Sequence, residues 1–220
     1  MMHREIIPTV VPSSLDDILV ARKKYPFARS LHIDIADGRF APNTTWTLRP
    51  GEKLPDAAQV EYEVHLMIEN PLQAGLTFAR AGASRIIGHI EAFDNAERAR
   101  EAFAMWSAAG AKESGIAILM DTPLEELQMY VQLCDFVHLM TIAKIGKQGY
   151  AFDERSLERI TTVHKRFPQI TISVDGGETK SVMEDVARAG ASRFCVGSAL
   201  SKAKDPEKTY LQLLSTVQAV

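Results

Sequence analysis

The chain has 220 residues, 46% of them hydrophobic and 24% charged, with a formal net charge of -3. That length buries a sizeable core, and the expectation is a single domain over residues 1–220. The mildly acidic balance argues against nucleic-acid or acidic-membrane binding, and the lack of any run of about 18 apolar residues argues against a membrane span. The opening Met1-Met2-His3-Arg4-Glu5 lacks the apolar core of a secretory signal, and Cys134 and Cys195 sit in mainly apolar runs. Two buried thiols suit a reducing compartment, so the cytoplasm is the expected location.

Ile6 to Val11 reads as a short buried strand, closed by Pro12-Ser13-Ser14. Ser14 can cap a helix from Leu15 to Lys24, whose first turn carries Asp16 and Asp17 where the helix dipole favours anions. The second strand holds Leu31-His32-Ile33-Asp34-Ile35-Ala36 and breaks at Asp37-Gly38. Residues 41 to 58 contain Pro42, Pro50 and Pro55 and read as loop with at most a short helix. Val60 to Met67 is a third strand, followed by a helix from Pro71 to Arg80 with proline in its first turn.

A repeat then emerges. Arg80-Ala81-Gly82-Ala83-Ser84-Arg85 leads into Ile86-Ile87, and Arg188-Ala189-Gly190-Ala191-Ser192-Arg193 leads into Phe194-Cys195-Val196. Ala109-Gly110-Ala111 between them leads to Ile116-Ala117-Ile118. Each glycine reads as a helix C-cap ahead of a buried strand. The remaining units are helix 95–109, strand 115–119, helix 123–132, strand 135–141, helix 154–166, strand 170–175, helix 179–189, strand 193–197 and helix 205–218. Strands alternating with helices predict a parallel sheet, and eight strands favour closure into an α/β (β/α)8 TIM barrel. The open doubly wound alternative lacks its glycine-rich turn after the first strand.

In such a barrel the chemistry sits at the C-terminal ends of the strands. His32 and Asp34 share one face of strand two, because side chains at i and i+2 point the same way. His65 ends strand three, His89 and Glu91 end strand four, and Asp175 ends strand seven. Two histidines and two carboxylates, His32, Asp34, His65 and Asp175, could converge as a divalent-metal site, although each alone reads equally as a rim or turn residue. Gly176-Gly177 and Gly197-Ser198-Ala199 leave backbone N–H groups free for a phosphate, or simply make turns. His138 lies deeper on strand six and reads as a satisfied core histidine; His3 and His164 read as surface residues.

These stretches together resemble the ribulose-phosphate 3-epimerase family. The likeness is carried by His32-Ile33-Asp34-Ile35-Ala36-Asp37-Gly38-Arg39-Phe40-Ala41-Pro42-Asn43, by Val64-His65-Leu66-Met67 with Asn70-Pro71, and by His89-Ile90-Glu91-Ala92. Met140-Thr141, Val174-Asp175-Gly176-Gly177 and Gly197-Ser198-Ala199 continue it in the family's order. The resemblance implies an isomerase that epimerises a phosphorylated ketose, interconverting ribulose 5-phosphate and xylulose 5-phosphate by proton transfer at C3. It implies one divalent metal ion (zinc, iron, manganese or cobalt) on His32, Asp34, His65 and Asp175, with Asp34 and Asp175 also the acid–base pair. Gly177, Gly197 and Ser198 correspond to phosphate-binding positions, Met67 and Met140 to residues packed near the sugar, and His89 and Glu91 to groups that orient ligands. The family's substrate-contacting serine falls at Thr9 or at Ser13. A homo-oligomer is also implied.

Two departures bear on the substrate. Ala36 stands where the family usually carries Met, and the space could suit a hexulose 6-phosphate. After strand six the family reads roughly Asn-Pro-Gly-Phe-Gly-Gly-Gln, whereas this chain reads Ala143-Lys144-Ile145-Gly146-Lys147-Gln148-Gly149. Lys144 and Lys147 add positive charge there, for phosphate or merely for solvent. A loop so altered leaves open a barrel that binds a phosphorylated ligand without turnover, against which the intact His32, Asp34, His65 and Asp175 weigh.

Overall fold

The computed structural model describes residues 4–49, 51–146, 148–177 and 179–220. Its strands are β1 (Glu5–Val10), β2 (Ser30–Ala36), β3 (Glu61–Met67), β4 (Arg85–His89), β5 (Glu113–Ile118), β6 (Phe136–Met140), β7 (Thr171–Asp175) and β8 (Arg193–Val196). They pair in parallel in chain order, and β8 closes onto β1. The helices are α1 (Leu15–Lys24), α2 (Pro71–Arg80), α3 (Ala96–Ala108), α4 (Arg155–Arg166), α5 (Lys180–Ala189), α6 (Ser198–Ser201) and α7 (Pro206–Gln218). The (β/α)8 barrel expected from the alternation is the architecture observed.

Alternation along each strand divides the molecule. Outward residues such as Ile6, Ile33, Val64, Ile86, Val137, Val174 and Phe194 are buried beneath the helices in one large apolar core. Inward residues are far more polar, the main apolar cluster inside the barrel being Ile87, Ala117 and Phe136. The register is staggered: stepping from Thr9 to its partner His32, then to Glu63, Arg85 and Glu113, descends from the mouth of the barrel to its floor. Inward side chains therefore stack in levels contributed by alternate strands. His32, Ile87, His138 and Cys195 form one level, and Thr9, His65, Ala117 and Asp175 the next toward the mouth.

Local signals explain the element ends. Asn95 caps α3 by accepting from the N–H groups of Glu97 and Arg98, and Asp205 caps α7 by accepting from that of Lys208. Gly82, Gly110 and Gly190 adopt φ of 103°, 118° and 121°, the positive values that let each helix stop and turn into its strand. The chain between β2 and β3 contains no helix among its described residues and is anchored by buried Leu48 and Leu54. One element differs from expectation. Residues 123–132 do not form an α-helix but a 3-10 turn at Leu124–Met129. Pro123 starts it, Leu127 is its buried anchor, and the larger rise per residue of a 3-10 helix spans the gap to β6 with fewer residues.

Candidate metal centre and acid–base site

The mouth of the barrel gathers histidines and carboxylates from four strands. His32 Nε2 lies 3.2 Å from Asp34 Oδ1, and His65 Nδ1 lies 3.1 Å from the same oxygen and 3.7 Å from Asp175 Oδ2. His138 Nε2 lies 3.9 Å from Asp175 Oδ2. All three imidazoles are fully buried. Asp34, Asp175, Thr9, Met67, Met140, Gly177, Gly197 and Ser198 border one narrow cleft, with Cys195 at its base.

The other nitrogen of each histidine is tied to a neighbouring strand, which assigns its tautomer. His32 Nδ1–H donates to Glu63 at 2.7 Å, with the Cys195 sulfur 3.3 Å away. His65 Nε2–H donates to His89 Nε2 at 2.8 Å, and His89 Nδ1–H donates to Glu91 at 3.2 Å. Glu91 is held in turn by the N–H of Leu119. His138 Nδ1–H donates to Ser173 Oγ at 3.0 Å. These assignments follow from the bonding pattern. In its neutral form each ring turns a lone pair, at His32 Nε2, His65 Nδ1 or His138 Nε2, toward the carboxylates.

The electrostatics separate the two aspartates. Burial would raise the Asp34 pKa, but the His32 and His65 imidazoles beside it hold it well below the usual carboxylate range. Burial and then the charge of Asp34 push Asp175 up to about 6. Burial opposes charge on His32, yet Cys195, Asp34 and Glu63 around it hold its pKa well above 6.5. Burial keeps His65 and His138 neutral, each with a pKa near 3. Among the described residues no lysine or arginine pairs with Asp34 or Asp175.

Thr9 sits on the cleft wall with a buried hydroxyl that has no hydrogen-bond partner among the described residues, whereas exposed Ser13 lies on a neighbouring groove beside Asp17. Gly176 and Gly177 take φ of 115° and 72°, and the strand-six loop crosses them so closely that a Cβ on Gly177 would lie 2.4 Å from the Phe152 nitrogen. Gln148 packs over Gly197 and donates to the Thr9 carbonyl. Lys144 is exposed, and Lys147 lies outside the described residues. Ala36 does not border the cleft. It is buried with Ala41, Met67, Met140, Ile142 and Ile145, so the loop's isoleucines occupy the room that the small side chain leaves.

Residues 13–201 match the profile of the Ribulose-phosphate 3 epimerase family. The chain belongs to that family. It is 33% identical over 194 residues to the ribulose-phosphate 3-epimerase of Mycobacterium leprae, covering 86% of this chain and 84% of that one. It is 33% identical over 189 residues to that of Aquifex aeolicus, covering 84% and 83%. The rice ribulose-phosphate 3-epimerase, cytoplasmic isoform, is 30% identical over 86% of this chain and 82% of its own. Among solved structures, 3-hexulose-6-phosphate synthase from Salmonella typhimurium superposes with a TM-score of 0.73 at 15% identity, covering 98% and 99% of the two chains. KGPDC from Streptococcus mutans superposes at 0.74 and 12% identity, covering 99% and 98%. These two likenesses are of fold. Family membership makes the chain a carbohydrate epimerase, an isomerase.

The donor set fits a divalent cation. Carboxylates with no lysine or arginine partner among the described residues, and imidazole nitrogens aimed at them, are what a nitrogen–oxygen metal site requires. Three features of this pocket escape sequence reading. His138 is not a satisfied core histidine, since its Nε2 is buried without a hydrogen-bond partner among the described residues. Glu63 and Cys195 both touch His32, from strands 31 and 163 residues away in sequence. Alternation marks all three as inward-facing; only the register shows which levels they share.

Proposed function

We propose that this barrel, one domain over residues 1–220, interconverts ribulose 5-phosphate and xylulose 5-phosphate. The observation that carries the reading is a pair of buried carboxylates flanking one imidazole nitrogen, 3.1 and 3.7 Å away, with their proton affinities pushed apart. Epimerisation next to a ketone removes the proton at C3 and returns one to the opposite face, which calls for one basic and one acidic carboxyl group. Asp34, held ionised, serves as base in one direction. Asp175, with its higher proton affinity, serves as acid, and the roles exchange in reverse. When bound on His32, Asp34, His65 and Asp175, a divalent ion (zinc, iron, manganese or cobalt) supplies Lewis-acid stabilisation of the charge developing on substrate oxygen.

The remaining residues bind and orient the substrate. Ser198 and Ala199 open α6 with N–H groups that have no intrahelical acceptor, and with Gly177 and Gly197 they bind the phosphate. The Thr9 hydroxyl takes the substrate-contacting place, Met67 and Met140 pack beside the sugar, and the strand-six loop excludes water. Filled space at Ala36 favours the pentulose over a hexulose phosphate. Among the described residues no helix is long and apolar enough to cross a membrane, and both cysteines are free; we assign the protein to the cytoplasm, as a homo-oligomer.

Proton NMR of ribulose 5-phosphate with the protein in heavy water, before and after chelation, tests this. Deuterium at C3 together with xylulose 5-phosphate, both lost on chelation, is the expected result. No exchange from metal-replete protein excludes this substrate. Hexulose 6-phosphates are then assayed, and silence there leaves ligand binding without turnover.

A further inference from the structure

We propose that His138 is an additional protein ligand to the cation, a third imidazole reaching the site from the level below Asp175. The inference rests on the metal site proposed above and adds a residue to it. His138 resembles His32 and His65 in being fully buried, with one nitrogen bonded to a neighbouring strand and the other facing a carboxylate, Asp34 for His32 and His65 and Asp175 for His138. Its Nε2 has no hydrogen-bond partner among the described residues, although a buried polar atom in a native core is nearly always paired. It is aimed at carboxylate rather than at apolar side chains, 3.9 Å from Asp175 Oδ2.

The distances suit coordination. One ligating atom each from His32, His65, His138 and Asp175 lies within 4.8 Å of all the others. Ligands about 2.1 Å from a common ion stand roughly 3.0–3.4 Å apart in octahedral or tetrahedral geometry, so side-chain shifts of about 1 Å close the shell. The His138 ring stacks near-parallel on His32, 13° between planes with centroids 5.5 Å apart, and meets the His65 ring at 4.8 Å. His89 cannot join them, because its Nε2 accepts from His65. Three imidazoles shift the site toward zinc, cobalt or iron and away from oxygen-preferring ions such as magnesium.

The test is metal binding by the full chain, read without substrate. Cobalt(II) is titrated into metal-free wild type, His138→Leu and Ser173→Ala, with affinity measured by chelator competition and the visible spectrum recorded. We expect His138→Leu to weaken cobalt binding by about tenfold or more and to change the d–d bands, and Ser173→Ala, which frees the tautomer, to weaken it by a smaller factor. On wild type labelled with 15N-histidine, zinc should move three imidazoles into the metal-bound range, a measurement independent of whether any variant folds. Two shifted imidazoles, or unchanged cobalt affinity and spectrum in a folded His138→Leu, overturn the proposal and leave the family ligands standing. A wild type that binds neither ion removes the metal site itself.

Discussion

The two ends of the barrel are both filled with charge, and they solve the same burial problem in opposite ways. At the floor Arg85 reaches Glu5 at 3.1 Å, Glu61 at 3.4 Å, Glu113 at 3.5 Å and Glu63 at 3.6 Å, while Arg193 reaches Glu113 at 2.7 Å. Acids there are neutralised by cations built into the chain. At the mouth, Asp34 and Asp175 have only imidazoles around them, two of which burial keeps neutral. A buried charge needs a partner. The floor is a permanent plug, whereas on the function proposed above the mouth is completed by a cation from solution. Glu63 joins the two, accepting from His32 above and pairing with Arg85 below.

The largest effects should come from breaking the mouth chemically. Asp34→Asn and Asp175→Asn should each lower epimerase turnover by about 10²–10⁴-fold, the range of a positioned acid or base. Asp175→Asn should not lower the melting temperature of the metal-free protein, because it removes a charge that burial and Asp34 disfavour, whereas Asp34→Asn should lower it by losing the His32 and His65 contacts that hold its carboxylate ionised. Turnover and melting curves on the same samples check both halves; a large loss of stability in Asp175→Asn would show that the mouth is a structural network like the floor. At the floor the balance reverses. Arg85→Met strands Glu63 beside the remaining glutamates and should destabilise the fold by about 3–5 kcal/mol in urea unfolding. Turnover per folded molecule should fall far less than in the aspartate variants.

That contrast also marks how much the sequence could tell. The barrel was legible because helix, glycine, strand recurs at Gly82, Gly110 and Gly190, and local backbone chemistry needs no tertiary information. His32 and Asp34 were legible as a pair because alternation alone puts them on one face. The 3-10 turn at Leu124–Met129 was not, since its residues suit either helix and the distance to β6 decides. Thr9 against Ser13 is a question of where β1 ends, which only pairing with β2 answers. His138 read as core filler because its environment comes from β2, β3 and β7, and a partnerless nitrogen has no sequence signature.

A smaller effect probes the support behind the ligands. Glu91→Gln keeps the size of the side chain but weakens the hold on His89 and so on His65. Metal affinity should fall by about tenfold, the lower end for an orienting partner, with the fold intact. Chelator competition measures it, and an unchanged affinity would make Glu91 a mere tie to Leu119 and Thr122.

The smallest effect is a slope. The Asp175 carboxyl titrates near 6 in the folded chain and near 3.8 when unfolded, so between those values the native state binds more protons than the unfolded one. Its contribution to stability is therefore fully present below about pH 3.8 and lost as pH rises to about 6. Asp34 and Glu63 are shifted downward and act with the opposite sign, adding stability as pH rises past their unfolded values. The total curve mixes these, but the difference between wild type and Asp175→Asn isolates one group. In metal-free protein, thermal melts from pH 4 to pH 7 should show wild type losing ground to Asp175→Asn up to about pH 6 and then running parallel to it. In wild type a bound cation reverses the sign, because it favours the ionised carboxylate and turns the rise in pH into a gain. The same melts on cobalt-loaded wild type should show that reversal, whereas a floor residue such as Glu113, already neutralised by Arg85 and Arg193, should show no metal-dependent change at all.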